Sequence, residues 1–160
     1  NALKSAQQPH HFLGINQNGR TAVFQTGGNR YGHVILRGGG GRPNYDSVSV
    51  ALCEKALQKA GLPPRIVIDC SHGNANKDPA LQPLVAHDCF EQIINGNRSI
   101  FGFMLESNLR EGNQPVNGDP SALEYGVSVT DACIGWETTE RVLEEAAEFL
   151  RPIVKGRKTA

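Results

Sequence analysis

The sequence has 160 residues, of which 39% are hydrophobic and 20% are charged, and its sixteen lysines and arginines balance sixteen aspartates and glutamates. This length fits one ordinary domain, and the composition is that of a globular chain, not a disordered or fibrous one. The even charge gives no electrostatic support for a nucleic-acid partner or an anionic membrane. No apolar run approaches the roughly 20 residues that span a bilayer.

The four cysteines lie far apart, and none belongs to a CxxC pair. A secreted disulfide scaffold is normally shorter and richer in cysteine, so we expect reduced thiols in a cytoplasmic protein. The first residues have neither the apolar core nor the cleavage site of a signal peptide.

The first predicted element is a β-hairpin over residues 11–26, where two apolar stretches flank Asn18-Gly19. This pair tolerates the positive φ angles of a tight turn. Three units of one kind follow it. Each is predicted to contain a short buried strand, a polar loop and an amphipathic helix.

The first unit has a strand at 33–39 and a helix from about Ser47 to Ala60. Apolar residues four apart predict the buried face of this helix, namely Val48, Leu52 and Ala56. Gly61 and the two prolines after it end the helix.

The second unit has a strand at 65–72 and a helix that opens at Asp78-Pro79, a capping residue followed by proline, and ends at Gly96. Its predicted buried stripe is Leu81, Val85, Cys89 and Ile93.

The third unit has a strand at 99–107, a long loop rich in glycine, asparagine and proline, and a helix from about Gly135 to Leu150. Val142, Ala146 and Leu150 are predicted to face inward, and Pro152 lies just beyond the helix.

Strands that alternate with helices predict an α/β fold with a parallel sheet, and continuous apolar strands indicate burial on both faces. Arg37, His72 and Glu106 each end a strand and are spaced by 35 and 34 residues. One functional group per strand end is typical of a (β/α)₈ TIM barrel, whose active site lies on that face. A doubly wound sheet uses the same edge and remains the alternative.

The number of units predicts that the barrel is partial. Eight units need about 250 residues, whereas residues 1–160 supply three units and a hairpin in a single domain. The first and last strands would be open edges, which soluble proteins normally cover. We therefore expect further barrel strands outside this sequence.

His72, Glu106 and Asp131 form the first candidate site. One imidazole and two carboxylates suit a divalent metal such as Mn, Fe, Co or Zn better than Ca or Mg. Each residue alone has a plainer explanation: His72 as a hydrogen-bonded core residue, and Asp131 as the cap of the last helix. Glu106 is harder to explain without a partner, because a carboxylate is rarely buried unpaired.

Arg37 is the second candidate, because a guanidinium at a strand end can bind carboxylate or phosphate bidentately. The alternative is a salt bridge with Glu106 or Asp69. Cys70 could share a metal with His72, although a small buried apolar role fits this cysteine better, and the same holds for Cys133. Lys77 and Arg110 lie in loops on the same predicted face, where solvated charges are the default.

Several long strings resemble the type I microbial 3-deoxy-D-arabino-heptulosonate 7-phosphate (DAHP) synthases over roughly residues 9–145. They are PHHFLGI, GNRYGHVILRGG, PNY, IDCSHGNANKD, GNRSIFGFMLESNL, EGNQ and YGVSVTDACIGWE. Such long motifs leave no room for chance similarity.

The resemblance implies the first step of the shikimate pathway, in which phosphoenolpyruvate condenses with erythrose 4-phosphate on a (β/α)₈ barrel and phosphate is released. It implies that His72, Glu106 and Asp131 are metal ligands, that His72 and Asp131 lie against the substrates, and that Arg37 holds phosphoenolpyruvate. His72 and Arg37 are then the catalytic residues of this chain.

The resemblance also implies what lies elsewhere. The fourth metal ligand of the family is a cysteine on the first barrel strand, which has no match here, and further substrate-binding lysines and arginines belong to the upstream half. We therefore expect the 160 residues to be the C-terminal part of a homo-oligomeric enzyme and to be inactive alone. A non-catalytic partial barrel is the alternative, and a metal hydrolase would fit the three ligands but not the strings.

In the family, the hairpin belongs to an allosteric module that binds an aromatic amino acid. Phe12 and Gly14 match positions that line this effector site. The GINQNG context is closest to tyrosine-sensitive members, and tryptophan or phenylalanine are the other candidate effectors.

Overall fold

A three-stranded parallel sheet forms the centre of the computed structural model, which describes residues 2–156. Its strands are β3 (Val34–Leu36), β4 (Ile66–Asp69) and β5 (Ile100–Met104), in that spatial order. Every residue of β4 is buried, because this strand has a hydrogen-bonded neighbour on each side. The predicted α/β arrangement is confirmed, with strands shorter than the predicted ranges.

All three long helices pack on one face of this sheet. They are α2 (Ser47–Lys59), α3 (Gln82–Ile94), which follows a 3-10 turn at Pro79–Leu81, and α4 (Trp136–Val154). Residues of the helices and of the central strands share one buried core, among them Val50, Ile68, Phe90, Ile100 and Val142. Asp46 and Asp78 cap the starts of α2 and of the 3-10 turn with their carboxylates.

The opposite face of the sheet is apolar and open. Ile35, Phe101 and Met104 expose 44%, 53% and 42% of their surface on the two outer strands. Phe101 has no partner in the register, because β5 carries one extra residue opposite the Ile66–Val67 step. Parallel sheets normally have both faces covered, whereas these apolar side chains on the second face are exposed.

The N-terminal region contains a short helix, α1 (Ala2–Gln7), and an antiparallel hairpin of β1 (His11–Ile15) and β2 (Thr21–Gln25). Gly19 has a φ of 71° in the turn, as the Asn-Gly pair predicts. Helix α1 was not predicted from the sequence. A second 3-10 turn, Pro120–Ala122, interrupts the long loop before α4.

The predicted buried face of α2 is wrong. Val48 and Leu52 are 67% and 62% exposed, whereas Val50 and Leu57 enter the core. Helix α2 has apolar residues on two opposite sides, and the side with Val50 and Leu57 is the one that is buried. Periodicity alone could not choose between the two sides. The stripe of α3 is confirmed for Val85, Cys89 and Ile93, all buried.

Helix α4 is longer than predicted, because it runs through Pro152 to Val154. Proline lacks its own amide donor, and here that loss falls in the last turn. The amide of Lys155 still donates to the Arg151 carbonyl, so the helix continues past the proline. None of the helices within residues 2–156 combines the length and the hydropathy that a membrane-spanning segment requires.

Residues 1–160 expressed alone should aggregate or remain loosely folded. The open apolar face and the free edges of β3 and β5 are surfaces that promote association. We expect strong fluorescence of a hydrophobic dye and high-molecular-weight species by size-exclusion chromatography. A monomer with a single cooperative melting transition would show that three βα units are self-sufficient.

Candidate metal centre

His72 lies in a tight loop directly after β4. Its backbone has a φ of 46°, and Asn76 and Lys77 in the same loop have φ values of 50° and 61°. Three non-glycine residues in the left-handed region are costly, and such strain is concentrated at functional sites. The Asn74 side chain stabilises the loop by donating to the carbonyls of Leu36 at 3.0 Å and Asp69 at 2.8 Å.

Arg37 follows β3, and its carbonyl accepts a hydrogen bond at 3.0 Å from Gly73, the residue after His72. The two segments approach so closely that a Cβ on Gly38, whose φ is 75°, would lie 2.6 Å from the Gly73 carbonyl carbon. Only glycine permits this contact. The guanidinium is exposed, and within residues 2–156 it forms no salt bridge with Glu106 or Asp69, the predicted alternative.

Glu106 comes two residues after β5, where Gln82 at the start of α3 binds it. The Gln82 side chain accepts from the Glu106 amide at 2.8 Å and donates to the Glu106 carbonyl at 3.1 Å. The Ser71 hydroxyl donates to Oε2 of the Glu106 carboxylate. Backbone and side chain of Glu106 are therefore both held, and Oε1 is left for other partners.

Asp131 is brought back to the sheet edge by backbone pairing with the segment after β5. The Ile134 amide donates to the Glu106 carbonyl at 3.0 Å, and Ser107 bridges Ile134 in parallel. The cap of α4 is Gly135, so the predicted alternative of Asp131 as a helix cap is wrong. Its side chain remains 64% exposed, the most accessible of the three candidate ligands.

The three predicted ligands converge. His72 Nε2 lies 3.4 Å from Glu106 Oε1 and 3.9 Å from Asp131 Oδ2, and one donor atom from each residue lies within 4.8 Å of the others. Ser71, Lys77 and Ala132 complete the small cleft around them. One imidazole nitrogen and two carboxylate oxygens with an open side fit a borderline divalent metal such as Mn, Fe, Co or Zn.

The nearby cysteines lie outside this cluster. Cys70 is fully buried in the core below the sheet, away from the cleft that His72 lines. A hydrogen bond with the Cys89 thiol, together with burial, raises the pKa of Cys70 above the usual range of a thiol. Cys70 is therefore a protonated core residue. The Cys133 thiol lies 3.6 Å from the Asp131 carbonyl and lines a neighbouring groove.

The two charged loop residues Lys77 and Arg110 differ in their position relative to the cleft. Lys77 lines the cleft, and its amide donates to the His72 carbonyl at 2.8 Å. Arg110 instead forms a salt bridge with Glu124. Sequence reasoning missed Gln82 and Ser71 as partners of Glu106. A signal for Gln82 was present, because it is a polar residue on the apolar stripe that continues through Val85 and Cys89.

Comparison with known proteins identifies the family to which this chain belongs. Residues 1–144 match the DAHP synthetase I family, and the chain is a member of that family. This confirms the resemblance drawn from the sequence motifs.

Individual proteins with names of this family are similar to the chain over most of its length. The chain is 57% identical over 145 residues to a Tyr-sensitive phospho-2-dehydro-3-deoxyheptonate aldolase of Salmonella typhimurium, which covers 91% of this chain and 40% of that protein. A Tyr-sensitive relative from Enterobacter agglomerans is 54% identical over 157 residues, covering 98% of this chain and 73% of that protein. A phenylalanine-inhibited relative from Saccharomyces cerevisiae is 49% identical over 156 residues, covering 94% and 42%.

A solved structure is also similar to this chain in both fold and sequence. The phospho-2-dehydro-3-deoxyheptonate aldolase from Francisella tularensis SCHU S4 superposes with a TM-score of 0.86 at 49% identity. The match covers 94% of this chain and 43% of that structure. The chain thus spans about two fifths of the length of the Salmonella and Francisella proteins.

The four thiols should differ in reactivity. Cys70 and Cys89 are fully buried, Cys53 and Cys133 are half-buried, and burial raises the pKa of Cys53. Because the thiolate is the reacting form, iodoacetamide should label Cys133 first, Cys53 more slowly and the buried pair last. Labelling of the native protein, expressed at the full length of its reading frame, followed by peptide mass mapping measures this order. Labelling of Cys70 as fast as Cys133 would contradict its assignment to the core.

Proposed function

We propose that this chain is the C-terminal part of a metal-dependent DAHP synthase, which condenses phosphoenolpyruvate with erythrose 4-phosphate and releases phosphate. The observation that carries the proposal is the convergence of His72, Glu106 and Asp131 at one sheet edge. This convergence occurs in a chain whose residues 1–144 match the family. Neither fact alone would specify the reaction.

We propose a (β/α)₈ barrel for the complete fold. Helices α2, α3 and α4 share one core on a single face of the sheet, whereas a doubly wound sheet carries helices on both faces. The open face, with Ile35, Phe101 and Met104, has the apolar character of a barrel interior. Open edges on β3 and β5 allow strands to be added on both sides. These features support the barrel over its alternative.

The three ligands would hold a divalent metal through His72 Nε2 and one oxygen each of Glu106 and Asp131. When bound, such a metal polarises the aldehyde oxygen of erythrose 4-phosphate as a Lewis acid. A further ligand would come from the upstream part of the barrel. Because Asp131 is largely exposed, it lies on the side from which substrate enters and contributes to the substrate site.

Arg37 would bind the carboxylate or phosphate of phosphoenolpyruvate. Its guanidinium has no ion-pair partner in residues 2–156, so no internal contact has to be broken before an anion binds. The Gly73–Arg37 hydrogen bond fixes its backbone beside the His72 loop. Arg37 and His72 can therefore act on neighbouring parts of the reacting pair, through charge neutralisation and orientation.

The hairpin would form part of an effector site for an aromatic amino acid, with tyrosine favoured. Phe12 and Phe24 stack across it, with ring centroids 5.6 Å apart, and Gly14 leaves room beside them. Relatives named Tyr-sensitive or phenylalanine-inhibited support an aromatic effector. A homo-oligomer in the cytoplasm completes the proposal, and the four free thiols suit that compartment.

Replacement of a ligand tests the reaction. In the protein expressed at the full length of its reading frame, His72→Ala and Glu106→Ala should each abolish metal-dependent condensation, because each removes a donor atom from the site. Phosphate release with both substrates and added Mn²⁺ measures the rate. Arg110→Gln is the matched control, since it alters a charged loop residue whose partner is Glu124. Undiminished activity in either ligand variant would refute the site.

Enlargement of Gly14 tests the effector site. A Cβ at this position would lie 2.9 Å from the Phe24 ring, so Gly14→Val should displace the ring. We expect the tyrosine concentration for half-inhibition to rise at least tenfold, about 1.4 kcal/mol of binding energy, with the uninhibited rate unchanged. Leu13→Ala is the control, because Leu13 pairs with Val23 on the other side of the hairpin. Normal tyrosine inhibition of the Gly14→Val protein would exclude this effector site.

A further inference from the structure

Asp69 is a buried carboxylate placed behind the imidazole of His72. It is only 3% exposed, and its Oδ1 accepts the Ser71 amide at 2.9 Å. Its Oδ2 lies 2.9 Å from His72 Nδ1, a close contact that is not aligned as a straight hydrogen bond. Burial of a carboxylate costs free energy unless the group has polar partners, and here the Ser71 amide and the His72 imidazole offset that cost.

The position of Asp69 selects which imidazole nitrogen faces the cleft. A carboxylate beside Nδ1 favours the tautomer that has its proton on that nitrogen. The lone pair of Nε2 then points toward the carboxylates of Glu106 and Asp131, at 3.4 Å and 3.9 Å. With the proton on the other nitrogen, Nε2 would have no lone pair for a metal.

Gln82 supports the ligand Glu106, as Asp69 supports the ligand His72. Its side chain is completely buried, and both hydrogen bonds of its amide group are made with the backbone of Glu106. The amide nitrogen donates to the Glu106 carbonyl at 3.1 Å, and the amide oxygen accepts from the Glu106 N–H at 2.8 Å. Gln82 is the first residue of α3, so it ties Glu106 to a helix packed on the core. The Ser71 hydroxyl occupies Oε2 of Glu106, and Oε1 faces His72.

We propose that Asp69 and Gln82 are positioning residues of the metal centre: Asp69 sets the tautomer and orientation of His72, and Gln82 fixes the place of Glu106. This inference rests on the proposed metal site. The two residues reach the metal only through the ligands that they hold. Outer groups of this kind typically change metal affinity by roughly 10–100-fold when they are replaced.

The experiment uses Asp69→Asn and Gln82→Leu in the protein expressed at the full length of its reading frame. Asp69→Asn keeps the shape and removes the charge, and Gln82→Leu removes both hydrogen bonds. Co²⁺ affinity is measured by competition with a chromophoric chelator, and the visible absorption of bound Co²⁺ reports ligand geometry. We expect each variant to bind Co²⁺ roughly 10–100-fold more weakly and to show a shifted absorption band.

Glu54→Gln is the matched control. Glu54 is also a carboxylate with two side-chain donors, Asn97 and Ser99, but these lie at the start of β5, opposite the metal edge. Urea unfolding of all three variants measures their stability. Glu54→Gln should lose stability while its Co²⁺ affinity and spectrum stay at the wild-type values. If Gln82→Leu does not fold, Gln82→Glu replaces it, since it loses the amide donor and keeps the acceptor.

The outcomes separate the two proposals. Wild-type protein that binds no Co²⁺ would refute the metal site and this inference with it. Wild-type binding with unchanged affinity and spectrum in the Asp69 and Gln82 variants would overturn the inference alone. Equal loss of Co²⁺ affinity in Glu54→Gln would also overturn it, because a general loss of stability would then explain the effect. Weakened binding confined to Asp69 and Gln82 variants supports it.

Discussion

The parallel pairing of β4 with both of its neighbours is the constraint on which the rest of the molecule depends. Parallel strands end at the same edge, so the residues that follow β3, β4 and β5 are brought together although they are far apart in the chain. Arg37, His72 and Glu106 occupy these positions. The buried residues of β4 also anchor the common core beneath, so the packing that stabilises the sheet and the placement of the site have one origin.

Around this edge, the site is built in layers of decreasing burial. The fully buried Gln82 and the nearly buried Asp69 lie deepest, His72 and Glu106 are partly exposed, and Asp131 is mostly exposed. In this gradient, the buried residues hold the candidate metal ligands by hydrogen bonds and close contacts, and the donor atoms of the ligands face the solvent-accessible cleft. A ligand set supported in this way loses little conformational freedom when it binds.

Much of this was predictable from the sequence, because strand ends and helix caps are local signals. Strand alternation and the Asn18-Gly19 turn predicted the main elements, and spacing selected His72 and Glu106, two of the three residues that converge. The buried side of α2 was not predictable, since Val48 and Val50 both begin apolar stripes and only tertiary packing chooses between them. Gln82 is recognisable as a polar residue on an apolar stripe, but Glu106 lies 24 positions away in the chain, and no local pattern identifies it as the partner.

The register of the sheet also bears on how the chain folds. Ile66 pairs with Val34 and with Ile100, so each strand contacts a neighbour only one βα unit away along the chain. Every such pairing closes a loop of similar length, and the entropy cost grows only slowly with that length. Assembly can therefore proceed one unit at a time, as in repeat proteins, with each helix docking before the next strand adds.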